Sequence, residues 1–351
     1  MLNYILRRLV YGVFVLVLVV LIISSIIYLA PVDPERLTFG QMYDAETMEL
    51  KRQELGLDKP LYVQLAYYLR DISPIAALHN SPENLKKYSY LKLLPFGQYI
   101  VVLKAPYFRE SFQSGRSVWS MLRDKLPQTG ILALSAMILA LIFGISLGVI
   151  AAINQNSWFD HSAVVISVMG ISVPSYVSAM FLALIFGYFL KDYTGLDVRG
   201  SLYDLNDYGE KTIYWKNLIL PAIALGIRPI AIITQLTRSA MLDVLSQDYI
   251  RTAKAKGLSY YRIISRHALR NALNPVLTAV SGWFAALLAG AFFVEIVFDY
   301  DGLGQLTVNA LLSYDIPLVL GAVLLTASIF VVINILVDVL YAMLDPRINV
   351  V

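Results

Sequence analysis

Few side chains in this 351-residue sequence are suited to bond chemistry. It contains no Cys, so it has no thiolate nucleophile, disulfide framework or Cys-ligated metal. Its three histidines, His79, His161 and His267, are too widely spaced to suggest a metal site. Gly-x-x-x-x-Gly-Lys-Ser/Thr is absent, so any ATP that drives the protein is bound by another polypeptide. The charged residues instead fall in blocks. Arg238, Arg251, Lys254, Lys256, Arg262, Arg266 and Arg270 crowd one stretch, opposed by Asp243 and Asp248. Glu295, Asp299, Asp301 and Asp315 follow with no Lys or Arg among them. Arg228 stands alone in an apolar run. This pattern is that of a membrane topology, not of a catalytic set.

Composition agrees. Hydrophobic residues make up 58% and charged residues 15%, against about 25% charged in soluble domains, and mean hydropathy is +0.64. A soluble cytosolic enzyme and a disordered chain are both excluded. A helical span needs about 20 apolar residues, and six runs supply them: Leu9–Val32, Leu126–Phe159, His161–Leu190, Asn217–Thr237 (apolar but for Arg228), Asn271–Val294 and Ile316–Val337. The first outruns the roughly 7–15 residues of a signal-peptide core and reads as an uncleaved anchor. The expected class is an all-α integral membrane protein of six transmembrane helices.

Lys and Arg set the orientation. The basic stretch 238–270 is expected inside and the acidic turn after the fifth helix outside, which puts Arg7, Arg8, Arg347 and both termini in the cytoplasm. The chain then divides into an N-terminal segment and first span (1–32), an external region (33–125), a core of spans two to six (126–344) and a cytoplasmic tail (345–351). In the external region, Glu46–Leu69 has helical spacing, while about 73–110, rich in Pro and Tyr, reads as an insertion with its own small fold. A second external segment, Lys191–Lys216, carries Tyr193, Tyr203, Tyr208, Tyr214 and Trp215, which suit a membrane interface.

The most informative stretch is Asp248-Tyr-Ile-Arg-Thr-Ala-Lys-Ala-Lys-Gly-Leu258, followed by His267-Ala-Leu-Arg-Asn-Ala272 and Pro275. It predicts a short helix over 249–256, a left-handed cap at Gly257, a second helix capped by Ser259 and a new span opened by Pro275. Small residues at 253, 255 and 257 would let a partner approach the backbone. Charge alone suits a basic helix lying on anionic lipid. The order of residues resembles instead the EAA coupling loop of ABC importer permeases, nearest to the dipeptide/oligopeptide branch.

The resemblance extends further. Leu29-Ala-Pro-Val-Asp-Pro34, Leu55-Gly-Leu-Asp-Lys-Pro-Leu61 with Gln64 and Tyr68, Gly115-Arg-Ser-Val118, Leu126-Pro-Gln-Thr129, Ser172-Val-Pro-Ser-Tyr176 and Val294-Glu-Ile-Val-Phe298 with Gly302-Leu-Gly304 are each similar to family segments. Two departures stand out. Asp301 occupies a position where the family commonly has Pro, and 73–110 is longer than expected.

The resemblance implies a type I ABC importer permease for dipeptides or oligopeptides in a bacterial cytoplasmic (inner) membrane. Its implied partners are a second permease, two cytoplasmic ATPase subunits that bind ATP and Mg, an external peptide-binding protein and membrane lipid, with no nucleic acid. This chain itself would hold no cofactor or metal and catalyse nothing. Asp248, Tyr249, Arg251, Thr252, Ala253, Ala255, Lys256, Gly257 and Leu258 would couple to an ATPase. Ser172, Pro174, Tyr176, Arg228 and Glu295 are candidates for the translocation pathway or its gate. Charge within a span marks function by default, so Arg228 either meets a substrate carboxylate, pairs with an acidic group, packs against the neighbouring subunit, or snorkels from a span of different register. Gly144 and Gly148 form a Gly-x-x-x-Gly packing motif, within or between subunits. Other solutes for the same family are a nickel chelate, a glycan or an antimicrobial peptide. An ion-driven secondary transporter would need intramembrane acidic relays, of which the spans offer almost none.

Overall fold

The computed structural model describes residues 2–29, 59–79, 88–206 and 208–344. The expectations for the 29–34 turn, for 46–58 and for Arg347 lie outside the described residues. Four helices are long and apolar enough to cross a membrane: Leu6–Ile26 within α1 (Leu2–Leu29), α3 (Val118–Ile153), α7 (Lys216–Leu245) and Ile316–Val337 within α13 (Ile316–Leu344). Two bent pairs bring the number to six if each is one span. The first pair is α4 (Trp158–Ser172) with α5 (Ser175–Leu182) and the wide-turn continuation to Phe189. The second begins at α9 (Tyr260–Arg262), passes a wide turn over Ile263–Ala268 and runs into α10 (Leu269–Gly290). Shorter elements are α2 (Leu61–Ile72), α6 (Lys191–Thr194), α8 (Asp248–Ala255), α11 (Phe292–Phe298) and α12 (Leu303–Leu312).

The chain forms two compact units, one of residues 1–124 with 306–328, the other essentially 125–305 with 329–350. In the first, three strands fall within the 73–110 stretch. Strands β1 (Ile75–His79), β2 (Tyr90–Phe96) and β3 (Tyr99–Lys104) form an antiparallel sheet in the order β1-β3-β2, with a bulge between Lys92 and Leu94. Ala76, Leu78, Ile100 and Val102 alternate onto one buried face with Tyr88, as strand periodicity requires. Asp71 at the end of α2 ties this sheet down. It accepts from Tyr88 Oη (2.6 Å) and Arg109 Nε (2.9 Å), and its carbonyl accepts from Lys104 Nζ. Burial raises the Tyr88 and Tyr68 hydroxyls above the ordinary tyrosine range.

The second unit is built around α7, whose apolar faces are covered by α3, α4, α5 and α10. Glycines decide how close these helices come. A Cβ on Gly144 would lie 2.7 Å from Ile233 Cγ2, and one on Gly148 would lie 2.6 Å from Thr237 Cβ and 2.7 Å from the Thr234 carbonyl oxygen. The Gly-x-x-x-Gly motif therefore packs α3 onto α7 within this chain. Pro221 and Pro229 lie inside α7 and deprive the Asn217 and Leu225 carbonyls of their helical donors. A two-stranded hairpin, β4 (Tyr203–Leu205) with β5 (Lys211–Ile213), precedes it.

Candidate functional site

The 248–275 stretch folds from local chemistry first. Helix α8 begins at Asp248, whose carbonyl accepts from Thr252 Oγ1 (3.0 Å). It ends where Gly257 adopts φ +75°. Gly257 N donates to the Lys254 carbonyl (3.0 Å) and Leu258 N to that of Ala253 (3.3 Å), the paired bonds of a Schellman cap. A Cβ at 257 would meet nothing within 4 Å, so glycine is required there for its backbone conformation, not for space. Ser259 stands at the start of α9, as expected, but its side chain makes no capping bond. Pro275 lies inside α10 and does not open it, because the wide turn 263–268 feeds straight into that helix.

Packing then fixes which side of α8 is presented. Ile250 and Ala253, one turn apart, turn inward and are buried against Ala240, Met241, Ile263, Ile264, Ala268 and Ala272, with Leu258 closing the cluster. Tyr249 Oη accepts from Asn271 Nδ2 (2.9 Å), which pins α8 to the start of α10. Asp248, Tyr249, Arg251, Thr252, Ala255, Lys256 and Gly257 remain exposed. The expectation of a small-residue approach at 253 is corrected: the Ala253 methyl belongs to the loop's own core, and the small exposed positions are 255 and 257. The i, i+3 pairing of Ile250 with Ala253 was the sequence signal for this.

Arg238, counted among the loop cations, is already paired. It lies in α7, and its Nε and Nη2 (2.8 Å) both donate to the Asp160 carboxylate. Asp160 is 2% exposed and also accepts from Asn156 N (2.9 Å). Its own amide donates to Ser157 Oγ (3.3 Å), the cap of α4. Sequence reasoning passed over Asp160, although it is the single charge between two long apolar runs.

The pathway candidates separate into three places. Ser172, Pro174 and Tyr176 sit at the junction of α4 and α5, where the axis turns by 106°. Val173 and Pro174 are extended there, so the break is a corner and not the simple kink expected of a membrane proline. Ser172 Oγ bonds back to the Val168 carbonyl (2.8 Å), and the Tyr176 ring lies 6.0 Å from that of Phe293. Arg228 lies within α7, with its guanidinium 6.0 Å from the Trp283 ring centroid.

Glu295 is enclosed. It is 0% exposed, accepts from Thr129 Oγ1 (2.7 Å) and Gln305 N (3.0 Å), and Thr129 Oγ1 in turn accepts from Leu303 N (2.8 Å). The 302–305 backbone wraps the carboxyl so closely that a Cβ on Gly302 would lie 2.4 Å from Glu295 Oε1, and one on Gly304 2.5 Å from Phe292 Cα. Glu295 lies beyond the candidate spans. Burial pushes its carboxyl up to about 7, against the pull of the Thr129, Gln305 and Gly304 hydrogen bonds. Next to it, Asp301 pairs with Lys125 and donates its amide to Ser201 Oγ (2.7 Å), a bond that proline could not make.

Comparison with known proteins identifies the family. Residues 144–350 match the family described as binding-protein-dependent transport system inner membrane component, and residues 1–134 match that family's N-terminal region. The chain is 34% identical over 349 residues, covering 99% of each chain, to the glutathione transport system permease protein GsiC of Shigella flexneri serotype 5b. The same protein of Salmonella typhimurium is 35% identical over the same length, again with 99% of each chain covered. Among solved structures, the inward-facing MetNI methionine ABC transporter is similar at a TM-score of 0.47 and 16% identity, covering 63% of this chain and 96% of that one. The chain belongs to the binding-protein-dependent transport system inner membrane components, the permeases of ABC importers.

Proposed function

We propose that this permease imports short peptides of about the size of glutathione, the solute in the names of its relatives. It works beside a second permease, two cytoplasmic ATPase subunits and an external peptide-binding protein. In this reading both termini and α8 lie in the cytoplasm. Closure of the ATPase pair displaces α8, α7 and α10 follow because the cluster around Ile250 joins them, and the pathway between the permeases turns outward to accept peptide from the binding protein. Resetting releases the peptide inside. The observation that carries this reading is α8 itself: a helix anchored on one side by Ile250 and Ala253 and offering Arg251, Thr252, Ala255 and Lys256 on the other.

The test is purification of the tagged chain from its own membranes in mild detergent, followed by reconstitution in liposomes. Co-purification of a homologous permease and P-loop ATPases, with ATP-dependent uptake of a tripeptide, is expected. A chain that purifies alone and transports without ATP would overturn the coupling role. ATP-dependent uptake of a nickel chelate or glycan, but not of peptides, would overturn the substrate.

A further inference from the structure

A cation at membrane depth is costly and is normally paired with an acid, a carbonyl or water. Arg228 has no such partner among the described residues. It stands twelve residues, about 18 Å, from the first residue of α7 and seventeen from the last, farther from either end than an arginine side chain reaches. Its Nε is enclosed with no acceptor, and it makes no hydrogen bond or ion pair with any described residue. The residue is only half-buried, and of its three nitrogens only Nε is among the enclosed atoms that lack an acceptor. Among the described residues its single specific contact is the Trp283 ring of α10, at 6.0 Å. That contact favours a cation over the ring face and holds the guanidinium without neutralising it.

This geometry lacks one component. A guanidinium presents a planar fork that matches a carboxylate with two parallel hydrogen bonds. The Trp283 ring adds an apolar wall beside that fork. We infer that Arg228, steadied by Trp283, takes the C-terminal carboxylate of the peptide in transit, so that this permease reads the free carboxyl end of its substrate independently of the external binding protein. The inference rests on the peptide reading above. An acidic residue of the facing permease would satisfy the same fork, and the experiment separates the two.

The assembled transporter, in nanodiscs and without binding protein, is titrated with trialanine and with trialanine amide, which lacks the terminal charge. The wild type is expected to bind the acid about ten- to a hundredfold more tightly than the amide, the range for a charge-assisted pair. Arg228→Gln should bind both as weakly as the wild type binds the amide, Arg228→Lys should retain part of the preference, and both variants should still assemble. An Arg228→Gln transporter that keeps the acid preference would overturn the assignment, as would loss of the second permease from Arg228→Gln but not from Arg228→Lys. If the wild type binds neither peptide, the peptide reading falls and this inference with it. If it binds both equally, only the Arg228 assignment falls.

Discussion

Arg238→Ala is the sharpest test of how the second unit is held. The substitution leaves the Asp160 carboxylate, 2% exposed, with the Asn156 amide as its remaining hydrogen-bond donor among the described residues and without the Arg238 counter-charge. Removing one member of a buried ion pair costs about 3–5 kcal/mol, because the other charge stays buried and uncompensated. Arg238 is itself about one-quarter exposed, which favours the lower end of that range. For a chain of this size the loss corresponds to a drop on the order of 5–10 °C in unfolding midpoint. Asp160→Asn should cost less, about 1–3 kcal/mol, since a neutral amide can still accept from Asn156. The double variant Asp160→Asn with Arg238→Gln should be milder than the sum of the singles, as expected when two side chains share one interaction. Thermal unfolding in detergent, read by fluorescence-detected size exclusion, gives all three numbers. An Arg238→Ala midpoint within a degree of wild type would refute the reasoning, since the carboxylate would then be solvated or otherwise paired. Strict additivity in the double variant would refute it too.

Other predictions follow from single observations. Ala255→Arg, on the exposed side of α8, should leave the midpoint within about 0.5 kcal/mol of wild type yet abolish co-purification of the ATPase. Ala253→Arg should lower the midpoint as well, because the guanidinium enters the Ile250 cluster; equal midpoints for the two would count against the assigned faces. Gly148→Leu should destabilise by more than the roughly 1–3 kcal/mol of ordinary overpacking, since even its Cβ would lie 2.6 Å from Thr237; an unchanged midpoint would show that α3 and α7 are not in this register. With Glu295 raised by burial to about 7, the folded state holds its proton at pH values where the unfolded carboxyl has lost it. Stability is therefore full below about pH 4.5 and declines as pH rises toward 7. Glu295→Gln should flatten that slope in a midpoint-against-pH series, and an unaltered slope would exclude Glu295 as its source.

Much of the architecture was legible in the sequence because it follows from local rules. Four of the six apolar runs fall in helices of spanning length, the other two fall in bent pairs, and the glycine at 257 produced its cap. The Pro- and Tyr-rich 73–110 stretch holds a three-stranded sheet, and its strands were not foreseen. What escaped was decided at a distance. Asp160 and Arg238 are 78 positions apart, and no periodicity connects them. The enclosure of Glu295 depends on backbone amides at 303–305, which carry no side-chain signature beyond the two glycines that let them approach. Pro174 was visible, but whether a proline bends a helix or turns it through 106° depends on whether neighbouring segments supply the lost contacts. The orientation of Ala253 lay in the residues themselves and needed only the phase of the helix.

The glycine seam between α3 and α7 also has a mechanical meaning. Two helices in contact backbone to backbone have no compressible side-chain layer between them and act as one plank. A slip of one turn, about 5.4 Å, would carry Ala140 into the place of Gly144 or Ala152 into that of Gly148, where a Cβ would lie 2.7 Å from Ile233 or 2.6 Å from Thr237. Sliding along the seam is therefore blocked, and any load delivered at the foot of α7 must move both helices as a rigid lever. The compliance of the unit is then concentrated away from the seam, at the extended corner through Val173 and Pro174.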